Sequence, residues 1–178
     1  MSSSTSTSLT LRALLKTAAG RLGLGVAGRP VAGLTAAAKG LFVAAAGGRE
    51  RVVAIVPTDA DVEQLTSDVR FFLSALEGVS DAEAAAVVLP LPSHEIDPYR
   101  GLSPHFDIAS SRARTLYALA SGGARIVIAS GAALLPRLSA PGRLNDIGLT
   151  LHPDDEISPT DLADRLAAAA YRLSLIHI

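Results

Sequence analysis

Residues 51–76 read "RVVAIVPTDADVEQLTSDVRFFLSAL", and this stretch predicts one β-α unit of an α/β fold. Its first seven residues are an apolar run rich in β-branched side chains and closed by Pro57, which is typical of a strand buried in a parallel sheet. The rest predicts an amphipathic helix, for which Thr58 or Asp59 can serve as the cap. One stripe of that helix carries its apolar residues, Val62, Leu65, Val69, Phe72 and Leu76.

Two further strands of the same kind are predicted along the chain, over residues 85–92 ("AAVVLPLP") and 124–130 ("ARIVIAS"). Helices are expected over residues 9–24, 35–46 and 108–120, the last with Asp107 as its N-cap, and a short one begins in "GAALLPRL" at 131–138. The resulting β-α-β-α-β order favours a parallel sheet flanked by helices, with right-handed crossovers.

Changes in composition divide the chain into four parts. Residues 144–172 contain a predicted short strand, an acidic turn and a helix that starts at Pro159 with Ser158 as its cap, and this pattern indicates the truncated start of a second small α+β domain. The parts are a disordered Ser/Thr-rich tip at 1–8, a main domain at 9–143, the partial domain at 144–172 and a tail at 173–178. The tail, "LSLIHI", matches the translation of a common transposase adapter and is expected to be non-native.

Composition limits the possible functions. The chain has 178 residues, 49% of them apolar, a net charge of −1 and no cysteine. Disulfides, thiolate metal sites and a cysteine nucleophile are therefore excluded, and no overall basic charge points to nucleic acid. The longest apolar stretch, residues 31–46, is interrupted by Lys39 and falls short of the ~20 residues of a membrane span. A cytoplasmic protein is expected.

The stretch "GLTAAAKG" at residues 33–40 is similar to a phosphate-binding loop, whose pattern is G-x-x-x-x-G-K-[ST]. Gly33 and Lys39 are in register with that pattern. Ala38 stands where the second glycine belongs, and Gly40 stands where a hydroxyl would hold magnesium. These departures indicate a vestigial nucleotide site, with a chance match in an Ala/Gly-rich helix start as the alternative. Replacing both, with Ala38→Gly and Gly40→Thr, is expected to restore weak ATP binding.

A second cluster of polar residues lies in "LPSHEIDPYRGLSPHFDIASSRARTLYAL" at residues 91–119. His and carboxylate side chains can bind a metal or perform acid–base chemistry, but His94 and His105 are eleven residues apart and not on one helix turn. A structural role is favoured instead, in which three prolines stiffen a long loop and Tyr99 anchors it. The structural residues are Pro92, Pro98 and Pro104 for the loop, Glu95 and Asp97 for backbone amides, and Asp107 for the helix start. Arg112 could pair with Glu95, Asp97 or Asp107 in a surface salt bridge, which would contribute only about 0–1 kcal/mol.

The same stretch closely resembles a signature of the bacterial transcription-repair coupling factors, the Mfd family. The matching residues are Pro92, Glu95, Pro98, Tyr99, Ser103, Pro104, His105, Asp107, Ile108, Arg112, Leu116 and Leu119. The flanking segments resemble successive pieces of the same region, so that the resemblance covers roughly residues 10–172.

The resemblance implies a fold and a biological role. Family members displace RNA polymerase stalled at DNA lesions and recruit UvrA for nucleotide excision repair. Their N-terminal module resembles domain 1a of UvrB, a helicase-like motor fold with a degenerate phosphate-binding loop, and it binds no cofactor. The ATPase that uses ATP and Mg²⁺, the double-stranded-DNA translocase and the polymerase-binding domain lie downstream of this region, as do most UvrA contacts. A non-catalytic interaction and regulatory module is therefore expected, with no membrane partner.

Two other interpretations stay open. A UvrB-like repair protein would bind nucleotide, although UvrB would keep an intact Gly-Lys-Thr at the loop. An unrelated small α/β enzyme would use His94 and His105. Because UvrB-like modules complete their sheet with chain that returns after the UvrA-binding domain, this chain by itself is expected to leave strand edges and apolar surface uncovered.

Overall fold

A computed structural model describes residues 10–22, 30–95 and 104–169 of the protein. Strands β1 (Val52–Val56), β2 (Val88–Leu91) and β3 (Ile126–Ser130) form a parallel sheet in the order β1-β3-β2. The helices of the described residues are α1 (Leu11–Arg21), α2 (Ala36–Gly47), α3 (Asp59–Glu77), α4 (Asp81–Val87), α5 (Phe106–Ser121), α6 (Pro141–Ile147) and α7 (Pro159–Ala168), with a 3₁₀ turn at Ala132–Leu134. The predicted α/β class, a parallel sheet flanked by helices, is confirmed.

Several sequence predictions concern residues outside the described ranges. These are the tip at 1–8, the tail at 173–178, and the loop residues Asp97, Pro98, Tyr99 and Ser103.

The two faces of the sheet carry separate cores. On one face, α2 and α3 pack over side chains of all three strands, including the fully buried Val88, Ile126 and Ile128. On the other face, α5 packs over Leu89 and Leu91 of β2 and the neighbouring side chains of β3. All five residues of β3 are buried because this strand lies in the middle with helices on both faces, as its continuous apolar sequence predicts.

Helix α3 begins as the sequence predicts. The Thr58 hydroxyl accepts from the Asp61 amide at 3.2 Å, and the Asp61 carboxylate accepts from the Thr58 amide at 3.1 Å. This reciprocal pair satisfies two backbone donors at the helix start. Of the predicted stripe, Val62 and Val69 are fully buried, and the other members pack at the edge of the same core.

The strand predicted over 85–92 is wrong at its start. Helix α4 occupies residues 81–87, and β2 begins only at Val88. The helix forms because Ser80 and Glu83 make a second capping box, with the Glu83 carboxylate accepting from the Ser80 amide at 2.8 Å. The Ser-x-x-Glu spacing is a sequence signal for this helix. The apolar run that follows it continues from α4 into β2, so it does not show where the helix ends and the strand begins.

The predicted N-cap of α5 is also wrong. His105, not Asp107, is the N-cap, because its backbone is extended and its Nδ1 accepts from the Asp107 amide at 3.4 Å. Asp107 is the second residue of the helix, where its negative charge still complements the helix dipole.

The segment after β3 is more helical than predicted. The turn at Ala132–Leu134 is 3₁₀, and α6 follows and packs against α5. The described residues from 148 to 158 contain no strand, so the predicted short strand is wrong there. Helix α7 begins at Pro159 as predicted, although the Ser158 side chain makes no capping hydrogen bond.

Gly47 is required by the packing of α2 on the sheet. A Cβ at this position would overlap Cδ1 and Cγ1 of the fully buried Ile126. Gly47→Ala is therefore expected to lower the free energy of unfolding by about 1–3 kcal/mol, as overpacking does. Urea denaturation measures it. Gly48→Ala is the matched control, since its Cβ would come no closer than 3.4 Å to its nearest neighbour, the Ala45 carbonyl oxygen. Equal stability of the two variants would contradict the packing.

Candidate functional site at the carboxyl edge of the sheet

Polar side chains meet where the three parallel strands end, which is the edge at which open α/β sheets bind ligands. Asp59 follows β1, Ser93 follows β2, and Ser130 ends β3. One Asp59 carboxylate oxygen accepts from the Ser93 amide at 2.8 Å, and the other accepts from the Ser93 hydroxyl at 2.5 Å. These bonds tie the start of α3 to the chain that leaves β2.

Arg112 of α5 joins this network from the face of the sheet that α5 covers. Its side chain is buried, with 4% of the residue exposed. Its guanidinium donates to the Pro92 carbonyl at 2.5 Å and to the Ala133 carbonyl at 3.4 Å. The predicted surface position of Arg112 is therefore wrong, because the cation lies inside the fold and joins the ends of β2 and β3. Asp97, one of its predicted partners, lies outside the described residues.

The network holds Asp59 in its charged form. Burial by itself would raise the pKa of this carboxyl group. Hydrogen bonds from Ser130 and Ser93, together with the nearby positive charge of Arg112, outweigh burial and lower the pKa below its usual range. The lowered pKa means that Asp59 carries a negative charge at neutral pH, near the positive charge of Arg112.

His94 lies beside this network, and the other candidate histidine does not share its environment. The Nδ1 atom of His94 is buried and has no hydrogen-bond partner among the described residues. Burial and the charge of Arg112 lower the His94 pKa. His105 is at the start of α5 with 73% of its side chain exposed, and it lies 3.4 Å from the Asp107 carboxylate. A shared catalytic pair is not supported by these environments.

The lowered pKa of His94 predicts a pH dependence of stability. The unfolded chain takes up a proton near pH ~6.5, whereas the folded protein keeps His94 neutral to lower pH. Acid therefore favours unfolding in this window, and stability should fall between pH ~6.5 and the lowered pKa. Urea midpoints measured from pH 7.5 to 5 check this, with His94→Asn as the comparison. An equal loss in the variant would contradict the assignment.

The loop at 33–40 lies at the same edge, and two of its backbone amides are bonded within the start of α2. Gly33 has a left-handed backbone, with φ of +76°. Thr35 caps α2, since its hydroxyl accepts from the Ala38 amide at 3.3 Å and its carbonyl accepts from the Lys39 amide at 3.0 Å. The Ala38 and Lys39 amides, which an intact loop would direct at phosphate, are therefore bonded to Thr35.

Gly40 stands where a phosphate-binding loop has its magnesium-binding hydroxyl, and here it packs against helix α3. A Cβ at this position would lie 2.7 Å from Cβ of Asp68 and 3.3 Å from the ring of Phe72. The glycine is buried where α2 crosses α3. A threonine cannot be accommodated without moving α3, which changes the expectation that Gly40→Thr restores nucleotide binding.

The cavity beside this loop is small and carries two acids. It has a volume of about 120 Å³ and lies between the start of α2, the end of β1 and α3. Ligand pockets typically measure about 300–1,000 Å³. Lys39 lines the cavity together with Asp61 and Asp68, so its formal charge is negative. The residues present do not fit a nucleoside triphosphate. The cavity beside Lys39 is too small for it, and the carboxylates of Asp61 and Asp68 repel its phosphates.

The structure separates the signature residues into two sets. Pro92 and Arg112 contact each other in the carboxyl-edge network. Glu95 is exposed with a positive φ of 54°, and His105 and Asp107 are exposed at the start of α5. Pro104 directly precedes that helix start. Within residues 10–22, 30–95 and 104–169, no group of three His, Asp or Glu side chains is placed to bind a metal.

Three members of the network were not singled out as site residues from the sequence. Ser93 and Ser130 were not considered, and Asp59 was considered only as a helix cap. Their positions in the sequence could have identified them. Each follows or ends a predicted buried strand, and parallel strands bring their carboxyl ends together.

No helix in the described part of the chain combines the length and apolar character needed to cross a bilayer. Comparisons of the chain with models of known protein families, with curated proteins and with solved structures give no match.

Proposed function

We propose that this chain is a non-catalytic interaction module of the transcription-repair coupling factor type. In this proposal the sheet and its helices correspond to a helicase-like, UvrB domain 1a-like fold that has lost its nucleotide site. The module acts in the cytoplasm as part of a longer protein that displaces stalled RNA polymerase and recruits UvrA. ATP and Mg²⁺ are used by a motor elsewhere in that protein.

The observation that carries the proposal is the contact of Gly40 with α3. The position of the magnesium ligand has become a helix-packing position, where any Cβ at residue 40 would lie only 2.7 Å from Cβ of Asp68. The loop therefore keeps the spacing of a phosphate-binding loop while its last residue serves the fold. This combination is expected of a motor domain retained for its shape and its surfaces.

The carboxyl-edge network supports the same proposal. In an active motor this edge contacts a ligand, whereas here Arg112 satisfies the Pro92 and Ala133 carbonyls, and Asp59 satisfies Ser93. Every one of these charges is used inside the protein. The signature stretch then fixes the end of β2 relative to β3, and its exposed residues Glu95, His105 and Asp107 are available to neighbouring domains.

Neither alternative gains a supporting observation from the described residues. A UvrB-like nucleotide site needs a larger cavity and an open phosphate cradle. A small enzyme that uses His94 and His105 needs both side chains in one cleft, and they differ in burial and in partners.

Sequencing the source locus beyond the codon for Arg172 tests the proposal. The expected reading frame continues into a UvrA-binding segment, a polymerase-binding domain and a motor with intact ATPase motifs. The outcome against the proposal is a native stop codon soon after Arg172 with no such domains encoded in frame.

A further inference from the structure

Helix α1 is joined to the carboxyl end of α3 by one arginine. The Arg12 guanidinium donates to the Leu76 carbonyl at 2.9 Å and to the Glu77 carbonyl at 2.8 Å. These are two of the last carbonyls of α3, which have no partner within their own helix. Arg12 also lies over Gly78, the left-handed residue that ends α3, since a Cβ there would lie 3.2 Å from the guanidinium. The cation therefore completes this helix end, where positive charge complements the helix dipole.

The apolar side chains of α1 contribute little to its docking. All eleven residues of the helix are described, and Ala19 is the one that is buried. Leu15 is partly buried, whereas Leu11 and Leu14 are 57% and 50% exposed. Apolar contacts stabilise in proportion to the area that they remove from water, so this set contributes much less than a buried leucine stripe would. Apolar packing therefore holds α1 only weakly.

A cavity of about 280 Å³ separates part of α1 from the carboxyl ends of α2 and α3. Lys16, Ala19 and Gly20 line it from α1, Ala44 lines it from α2, and Leu76 lines it from α3. A Cβ at Gly20 would have no atom of the described residues within 4 Å. Side chains that border such a gap lack the dispersion contacts of a packed interior. The cavity therefore weakens the docking of α1 further.

We propose that α1 is a strap that undocks from α2 and α3 as a unit while the sheet stays folded, with Arg12 as its latch. An isolated helix shorter than about 12 residues is marginal in water, so α1 unfolds once it leaves this surface. Hydrogen bonds from a charged donor are stronger than neutral ones, which makes the two Arg12 bonds the chief contribution that opposes undocking.

Undocking frees the Leu76 and Glu77 carbonyls and opens the cavity beneath the helix. Helix α1 thereby controls access to the carboxyl ends of α2 and α3. This inference does not rest on the proposed function, because it uses only the contacts that α1 makes with the two neighbouring helices.

Hydrogen exchange followed by mass spectrometry tests whether α1 opens by itself. A local opening costs less free energy than unfolding of the whole domain, so α1 amides should exchange at least about tenfold faster than those of the buried strand β3. The comparison is made on the intact chain at neutral pH. Amides of α1 that are protected as strongly as those of β3 would overturn the proposal.

Replacing the latch tests the role of Arg12. Arg12→Met keeps an unbranched side chain but removes both hydrogen bonds, so the protection of α1 amides should fall about tenfold while that of β3 amides stays unchanged. Lys16→Met is the matched control, because it removes the same charge from an exposed position of the same helix that has no hydrogen bond or ion pair among the described residues. Its effect should be no more than about twofold. An Arg12→Met protein with unchanged α1 protection, or with equal losses in α1 and β3, would overturn the proposal.

Gly20→Ala provides a test of the opposite sign. The substitution places a methyl group in the cavity and removes the helix penalty of glycine, so α1 amides should become about two- to fivefold better protected while those of β3 do not change. Because the new Cβ has free space around it, this variant keeps the fold. Protection that does not rise in α1, or that rises equally in β3, would contradict the separate opening of the strap.

Discussion

Replacing Arg112 by methionine is expected to lower the free energy of unfolding by about 3 kcal/mol. The guanidinium is buried and is the hydrogen-bond donor to the Pro92 and Ala133 carbonyls. Methionine fills much of the volume but donates nothing, so both carbonyls lose this donor and Asp59 loses its nearby cation. Urea denaturation monitored by circular dichroism measures the loss.

Arg114→Met is the matched control for that experiment. Arg114 lies two residues along the same helix, is exposed, and makes one long hydrogen bond of 3.4 Å to Ala85. Its replacement should change stability by no more than about 0.5 kcal/mol, as surface substitutions do. Equal losses for the two variants would mean that Arg112 acts as an ordinary surface charge, contrary to the carboxyl-edge network.

Gly40→Thr is expected to destabilise the protein by about 1–3 kcal/mol and to give no ATP binding, even together with Ala38→Gly. The added Cβ would meet Cβ of Asp68, which belongs to the stem of a helical side chain and cannot rotate away. Thermal denaturation and titration with a fluorescent ATP analogue measure the two effects.

Gly20→Ala is the control for the helix substitution. Gly20 lies in α1, and a Cβ there meets nothing within 4 Å. This variant should be neutral or gain up to ~1 kcal/mol from helix propensity. A Gly40→Thr protein as stable as the wild type, or one that gains ATP binding with Ala38→Gly, would show that α3 does not close the site.

Much of the fold follows from local sequence patterns. The continuous apolar runs that became β1 and β3 predict buried parallel strands, and the Thr58 cap with its apolar stripe predicts α3. These signals are strong because the two elements have different patterns of apolar residues. A strand buried on both faces is continuously apolar, whereas a helix buried on one face is apolar at every third or fourth residue. The strand limits at 85–92 were less secure, because "AAAVVLPL" suits both the end of α4 and the start of β2.

The candidate site was only partly accessible from the sequence. The departures at Ala38 and Gly40 predict a lost nucleotide site, but the sequence does not reveal that Gly40 packs against Asp68, 28 positions away. The role of Arg112 was misjudged for a similar reason. Arginine is rarely buried, so a surface position was the natural expectation, whereas its partners are backbone carbonyls that no side-chain pattern displays.

Among the described residues β1 pairs with β3 alone, so its other edge has no strand partner there. Val53 and Ile55 are both exposed on that edge. The sequence did not indicate which edge would be open, since the order β1-β3-β2 depends on long-range pairing. Nor did it indicate that Arg70 and Thr115 would close the other edge through backbone carbonyls.

Titration of the purified chain with Mg·ATP, followed by isothermal calorimetry, tests the central claim most directly. The claim is that a motor-like fold has lost its nucleotide site through the packing of Gly40 and the small acidic cavity beside Lys39. The predicted result is no binding up to millimolar ATP, both for the wild type and for Lys39→Ala. Micromolar binding by the wild type that Lys39→Ala abolishes would contradict the claim and restore the UvrB-like interpretation.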